Sequence, residues 1–476
     1  MSWGVRLLQR PDKIAEYLET VRQQIRWKRA QPVVLEEIKD HLSDLKSALL
    51  EGGLDEETAT DKAVAEMGDP ILVGEQLDYV HRPKPDWMLF ALTGVMLLLG
   101  AALQYFIDSN LDGAWTLEQQ LAWGGMAVIA MLAAYFADFT IVGKYPKLVF
   151  SLLCAISVVA CFFTGTVRGT ASYAIYPLLL FPTAFAGLVY SMRNKGYGGL
   201  ILCGAALVVP ALLSMIVPNL TVFFLLGVSC LILLTAAVFK GWFNVKKLSA
   251  MFILYGSTAA VLSILFFMIM GVGYRAERAR VAFNPSLDPD GMGYIGTTIQ
   301  RILSHSQFIG SGMPLNDYGV SVNASNLLAA RILPEINTDY LLTYLTYEFG
   351  WITFLLIMAL FTAFIIRAVM LCIKQKSVLG FLTSTAIIST FGVQLIVYIV
   401  SNLGILLFSP LSLPLVSYGK MALVTNAFLI GLLLSVFRTG DLVRDKAETV
   451  AGRHNSFIRY DNGRIIIDLI RPKAME

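Results

Sequence analysis

Ten apolar runs long enough to cross about 30 Å of hydrocarbon limit this chain's folding more than any other feature. They fall at about 87–106, 121–142, 147–165, 173–192, 198–217, 219–239, 248–272, 339–369, 378–408 and 412–437. In hydrocarbon each backbone N–H and C=O must be paired within the chain, so runs of this length read as helices. Composition agrees, because only 15% of the 476 residues are charged while 56% are hydrophobic; soluble domains carry about 25% charged residues. The expected fold is all-α: a polytopic membrane protein of about ten transmembrane helices. A soluble globular enzyme is excluded.

The connections between runs alternate in character. "VGKYPK", "SMRNKG", "KGWFNVKK", "RAVMLCIKQK" and "FRTGDLVRDK" are basic, whereas "DSNLDGAWTLEQQ", "VPNLT" and "FSPLSLP" are acidic or uncharged. By the positive-inside rule both termini are expected in the cytoplasm. One long segment, 273–338, then lies outside the cell between the seventh and eighth spans. It is neither low-complexity nor strongly charged, and a loop of that length between spans is usually functional.

Residues 1–85 have a different pattern. "PVVLEEIKDHLSDLKSALLEGG" places Val34, Ile38, Leu42, Leu45 and Leu49 on one helical stripe that ends at Gly52-Gly53. "LDEETATDKAVAEMGDP" repeats the device, with acids opening a helix and Gly68-Asp69-Pro70 ending it. A small cytoplasmic helical bundle is expected, joined to an 86–440 membrane domain by the stiff "HRPKPDW", with a cytoplasmic tail at 441–476. In that tail "RIIIDLI" alternates like a short strand. The N-terminus lacks the apolar core of a signal peptide and is expected to stay in the cytoplasm. Cys154, Cys161, Cys203, Cys230 and Cys372 lie in apolar runs without metal-type spacing and read as packing residues, and His41 reads as solvated. No zinc site and no nucleic-acid partner are expected.

The stretch "LPEINTDYLLTYLTYEFG" (333–350) concentrates polar groups at the mouth of the eighth run. Asn337 or Thr338 can cap a helix there, putting Asp339 in its first turn, where the helix dipole favours a carboxylate. At 100° per residue Asp339, Thr343, Thr346 and Gly350 share a face, a polar stripe running inward. Glu348 lies deeper, where a charge costs about 2.5–3.5 kcal/mol and normally faces a bundle interior or a wet cavity; Tyr340, Tyr344 and Tyr347 are placed to hydrogen-bond it. The residues alone leave three readings open: an ion-coupled carrier, an enzyme acting on a lipid-linked substrate, or a structural polar seam. Two other outward stretches bear on the choice. "RAERARVAFNPSLDPDGMGY" (275–294) carries Arg275, Arg278 and Arg280, which suit phosphate groups through charge-assisted hydrogen bonds. "SLPLVSYGKMALVTN" (412–426) puts Ser417, Tyr418 and Lys420 at the mouth of the last run.

In order and place, "FNPSLDPDGMGY", "LPEINTDYLL…EFG" and "LPLVSYG" resemble the motifs of the SEDS family (shape, elongation, division and sporulation), the RodA/FtsW/SpoVE group. The resemblance spans about 87–440, and the N-terminal bundle is similar to a helical prefix found on some Gram-positive permeases and SEDS proteins. It implies a peptidoglycan glycosyltransferase that polymerises lipid II at the outer face of the bacterial plasma membrane during elongation, division or sporulation. It also implies a class B penicillin-binding protein, the transpeptidase, as partner. Asp339 matches the acid of the family's "TDF" motif, the proposed catalytic residue, and Gln394 agrees with a family glutamine. With these go Arg275, Arg278, Arg280, Glu335, Thr338, Glu348, Ser417, Tyr418 and Lys420 as candidate substrate contacts. The leaving pyrophosphate needs cationic stabilisation, from arginines or from a divalent ion such as magnesium or manganese. The chain also departs from the pattern. Tyr398 stands where asparagine is usual, Lys420 replaces a glycine, and Ala184 and Gly187 in "LFPTAFAGL" stand where an acid and a lysine belong. A non-catalytic scaffold or lipid II-binding regulator therefore stays open beside the enzyme, and a carrier beside both.

Overall fold

A computed structural model of the chain describes residues 13–28, 30–83, 85–110, 117–163, 174–217, 219–313, 332–440, 458–461 and 464–467. Four helices come first: α1 (Lys13–Gln24), α2 (Gln31–Glu51), α3 (Glu56–Met67) and α4 (Pro70–His81). Val34, Ile38 and Leu42 are buried against Tyr17 and Val21 of α1, with Leu45 and Leu49 packed beside them, as the stripe requires. The side chains of Asp55 and Asp69 accept the backbone N–H groups of Thr58 and Ile71, capping α3 and α4. Gly68-Asp69-Pro70 thus ends one helix and starts the next. His41 is exposed.

The apolar runs follow as α5 (Trp87–Asn110), α6 (Leu117–Phe136), the short α7 (Ile141–Lys144), α8 (Pro146–Phe163), α9 (Ile175–Leu179) with α10 (Phe181–Ser191), α11 (Gly196–Ala206) with α12 (Val208–Ile216), α13 (Leu220–Phe239) and α14 (Lys247–Met270). The segment between the seventh and eighth runs contains α15 (Gly273–Phe283), a 3-10 turn at Pro285–Leu287 and α16 (Tyr294–Ser304). Last come α17 (Leu341–Phe349), α18 (Trp351–Ile373), α19 (Val378–Asn402) and α20 (Lys420–Thr439). Among the described residues eight helices are long and apolar enough to cross a membrane; two shorter apolar helices, Pro146–Phe162 and Ile175–Ser191, hold the third and fourth places. The core gathers around α19 and α20, two-thirds buried where the peripheral α14 is almost wholly exposed. At the start of α5, Asp86 accepts the Leu89 N–H (2.8 Å) and pairs with Arg367 of α18. Burial alone would raise the Asp86 carboxyl, but the hydrogen bonds from Arg367 and the Leu89 N–H outweigh it and hold it low.

The eighth run differs from expectation. It is two helices, because Gly350 adopts φ 92° and ends α17 before α18 begins. A Cβ there would come within 2.6 Å of the Phe308 carbonyl oxygen, so both the conformation and the close approach demand glycine. The preceding loop seals the break. Gly310 and Gly312 N–H donate to the carbonyls of Phe349 and Tyr347 at the end of α17, while Trp351 and Ile352 N–H donate to Gln307 and Phe308. Each of these is a helix-end group with no partner inside its own helix. The tenth run likewise begins its helix at Lys420 rather than 412, leaving 412–419 as an irregular segment.

Residues Arg444–Glu476 form a separate compact unit. In it the strands β1 (Ile458–Asp461) and β2 (Arg464–Ile467) pair antiparallel. The alternation of "RIIIDLI" anticipates β2 but not its partner.

Candidate functional site

The polar groups of 335–346 are organised by their backbone. The carbonyl of Asn337 accepts from Gln104 Nε2 of α5 (3.1 Å) and from the Tyr418 N–H (2.9 Å). The carbonyl of Thr338 accepts from Ser417 Oγ (2.9 Å) and, more weakly, from the Tyr398 hydroxyl (3.5 Å). That of Asp339 accepts from Asn402 Nδ2 (2.9 Å). Three successive carbonyls are therefore pinned from α5, α19 and the 412–419 segment. Each of the two facing segments holds one non-glycine residue in the left-handed region, Glu335 at φ 52° and Leu415 at φ 62°. Strain of this kind is held only where the surroundings over-determine the backbone, and it gathers at functional sites. The Glu335 carbonyl in turn accepts the N–H groups of Thr338, Asp339 and Tyr340.

α19 also supplies the cap of α17. The Tyr398 hydroxyl takes the Leu342 N–H (3.3 Å), and Asn402 Oδ1 takes the Thr343 N–H (3.0 Å) and hydroxyl (2.9 Å). These are orphan donors of a first helical turn, satisfied by residues one turn apart on a neighbouring helix. Tyr398, where the motif pattern has asparagine, thus keeps a polar contact with the 338–342 backbone.

The expected site residues divide accordingly. Glu335, Thr338, Asp339, Ser417 and Tyr418 come together, with the Thr338 hydroxyl 3.3 Å from Glu335 Oε2. Gln394 stands behind them, donating to the Ser412 carbonyl (2.8 Å) and so fixing the 412–419 segment. Lys420 begins α20 and is half-buried, adding a cation to the positive end of that helix. Asp339 is half-buried and precedes α17, rather than lying in its first turn. The polar stripe is also corrected: Thr343 and Thr346 are buried and bond to Asn402 and to the Leu342 carbonyl, so they are packed rather than lining a wet cavity. Glu348 sits at the far end of α17, outside the span that starts at Trp351, and burial pushes its carboxyl up to about 7. The tyrosines do not serve it as expected: Tyr347 donates to the Met313 carbonyl (3.1 Å), and Glu348 Oε1 has no hydrogen bond among the described residues. Arg275, Arg278 and Arg280 are exposed on α15. The end of that helix meets the turn after α19 through a hydrogen bond from the Leu406 N–H to the Ala282 carbonyl (3.3 Å). Sequence reasoning missed Gln104 and Asn402, although polar amides in apolar spans, one of them a turn beyond Tyr398, are the signal that intramembrane polar groups face partners.

Comparison with known proteins resolves the family. The sequence pattern of the cell cycle protein family, the FtsW/RodA/SpoVE group, matches residues 85–441. The chain belongs to this family. Among its cell cycle relatives, the probable peptidoglycan glycosyltransferase FtsW of Trichlorobacter lovleyi is 24% identical over 73% of this chain and 91% of its own. Stage V sporulation protein E of Bacillus subtilis is 24% identical over 75% of this chain and 98% of its own. Two solved structures share the fold. One is a chain of a peptidoglycan synthase complex, at TM-score 0.59 and 17% identity over 76% of this chain and 99% of that one. The other is the rod shape determining protein RodA of Thermus thermophilus, at TM-score 0.50 and 15% identity over 76% and 98%. In this cell cycle protein the "LFPTAFAGL" segment lies buried in α10, and a Cβ on Gly187 would come within 2.2 Å of the Val142 carbonyl oxygen. No lysine fits there. Among the described residues no three His, Cys, Asp or Glu side chains cluster. Glu335 and Asp339, four residues apart, are the two carboxylates of this segment and the residues that could hold a divalent ion together with substrate phosphate and water.

Proposed function

We propose that this chain is a peptidoglycan glycosyltransferase that extends glycan strands from lipid II at the outer face of the bacterial plasma membrane, with both termini in the cytoplasm. The carrying observation is the pinning of the 337–339 carbonyls by Gln104, Tyr418, Ser417, Tyr398 and Asn402, which fixes the backbone that bears Asp339. A general base must be held in place before the reaction starts, and a backbone anchored from three elements does that. In the transfer, an acceptor sugar hydroxyl forms a bond to the anomeric carbon of the donor. The bond from that carbon to the undecaprenyl pyrophosphate breaks, and the hydroxyl proton passes to the Asp339 carboxylate.

The leaving pyrophosphate carries away the electron pair and needs positive charge around it. Arg275, Arg278, Arg280 and Lys420 supply it by this reading. A magnesium or manganese ion, held by Glu335 when bound, would supply further positive charge for the leaving group while Asp339 stays free as the base. Thr338, Ser417, Tyr418 and Gln394 shape and hold the acceptor side, and Glu348 at the far end of α17 is the remaining candidate substrate contact. A class B penicillin-binding protein is the partner this reading requires, since glycan strands must be crosslinked. One observation favours a second reading, a non-catalytic scaffold or lipid II-binding regulator: the close packing at Gly187 leaves no room for the lysine of the family pattern.

The test is polymerisation of lipid II by purified protein, wild type against Asp339→Ala, with transpeptidase and divalent cation present. Glycan product from wild type that disappears in the variant supports the enzyme. No product from wild type, with Asp339→Ala still binding partner and complementing a deletion, would falsify it in favour of the scaffold.

A further inference from the structure

We infer that the N-terminal bundle docks on the bilayer through α4, which lies against the anionic lipid surface on the side from which α5 enters the membrane. One half of the α4 circumference is occupied by Gly74, Val73, Leu77 and Asp78, with Gly74 close against Gln24 of α1. The opposite half presents Ile71, Leu72, Glu75, Gln76, Tyr79 and Val80, spaced to fall on one face. Four of these six are apolar or aromatic and strongly exposed: Ile71 47%, Leu72 58%, Tyr79 61% and Val80 65%. The other helices of the bundle bury their apolar stripes in a shared core, so α4 spends its apolar surface outward.

Three observations say what that surface meets. The first is reach. Six residue steps separate Val80 from Asp86, at most about 22 Å when fully extended. Asp86 is fastened to Arg367 of a membrane helix at the point where α5 begins. The exposed face is therefore tethered within a short distance of the headgroups. The second is charge. The backbone N–H of Arg26 donates to Asp78 Oδ1 (2.9 Å), which seats the turn carrying Arg26 and Lys28 beside the last turn of α4. Arg26 is 92% exposed, and Arg82 and Lys84 follow directly in sequence. Basic residues thus collect at the end of α4 nearest the membrane, while Asp78 is occupied by Arg26 and Glu75 is the one acid on the exposed face. The third is the pairing of side chains itself. Arg82 stacks over the Tyr79 ring (4.7 Å), so its charged head and the aromatic body sit together as they do at a lipid–water boundary. An apolar helical face edged by basic residues is the pattern of an interfacial helix on anionic lipid. A protein partner explains the apolar face but not the position of the charge.

The test places a nitroxide at Leu72→Cys or Val80→Cys in the full chain, with Asp40→Cys on the exposed face of α2 as control and labelled wild type as background. The protein is reconstituted in vesicles of two parts phosphatidylcholine to one part phosphatidylglycerol. Collision with oxygen, which partitions into lipid, is compared with collision with a water-soluble nickel chelate. Expected is a several-fold higher oxygen-to-nickel ratio at 72 and 80 than at 40, lost in detergent micelles. Neutralising Lys28→Gln and Arg82→Gln should lower the docking constant by roughly thirtyfold, from the usual contribution of each basic residue near an anionic surface. Labels at 72 and 80 as open to nickel as the label at 40 overturn the inference. So does protection that ignores phosphatidylglycerol, or that vanishes when protein is diluted among excess vesicles, which assigns the face to a protein partner instead.

Discussion

Asn402 is the residue whose removal most directly tests whether backbone placement governs the site. Its amide makes four contacts: Nδ2 donates to the Asp339 carbonyl (2.9 Å) and the Tyr398 carbonyl (3.0 Å), and Oδ1 accepts the Thr343 N–H and hydroxyl. The residue is 1% exposed, so water cannot replace it. Asn402→Ala removes the hydrogen bond to the Asp339 carbonyl and the side-chain cap on the buried Thr343 N–H, at about 1–3 kcal/mol each. A loss on the order of 3 kcal/mol is expected, read as a clear drop in the melting temperature of detergent-solubilised protein. Asn402→Asp separates stability from placement. It retains acceptors for Thr343 but turns an acceptor toward the Asp339 carbonyl, so α17 stays capped while the carbonyl below Asp339 is released. Lipid II polymerisation by Asn402→Asp should fall at least tenfold. Activity within about twofold of wild type, in a variant shown to melt cooperatively, would mean that pinning the 339 carbonyl does not matter to the reaction.

Two further outcomes follow from the far end of α17. Glu348 has its carboxyl raised by burial to about 7, so the fold favours its protonated form. The penalty is absent below the unfolded value near 4.5, grows as pH rises, and is complete above 7, at no more than about 3 kcal/mol before solvent screening. Glu348→Gln should therefore melt higher than wild type at pH 8 and equally at pH 4.5; an equal difference at both pH values contradicts this. Gly350→Ala combines an unfavourable positive φ with contact against the Phe308 carbonyl. It should cost about 2 kcal/mol or more and speed amide exchange at Gly310 and Gly312, whose N–H groups bond to the end of α17; unchanged exchange there refutes the loop's dependence on this glycine.

How far the sequence shows this architecture depends on the range over which each signal acts. Helix periodicity and span length are local, and they locate the Val34–Ile38–Leu42 stripe and an apolar helix in each of ten places. The break at Gly350 is not local. "YEFGWIT" reads as unbroken helix because the glycine's φ is set by a loop some forty residues earlier, through carbonyls of Gln307 and Phe308 that end-cap α18. The same holds for the site. Motif order picks out Asp339, Ser417 and Tyr418 one by one, yet two of the side chains that pin the 337–339 backbone come from Gln104 and Asn402, 233 and 63 residues away from their partners. Tyr398 is the clearest case. By motif it is a lost polar residue, whereas in the fold its hydroxyl reaches both the Leu342 N–H and the Thr338 carbonyl, backbone groups beside those that Asn402 holds one turn on. Gly187 behaves oppositely, because close packing against Val142 leaves no room for a polar side chain there, and Ala184 is buried without one. Departures from a motif therefore divide by what the neighbouring backbone does with the space. The half of the site around α19 has been rebuilt in polar form and the half around α10 has not, so the Asp339 side is where activity is to be sought.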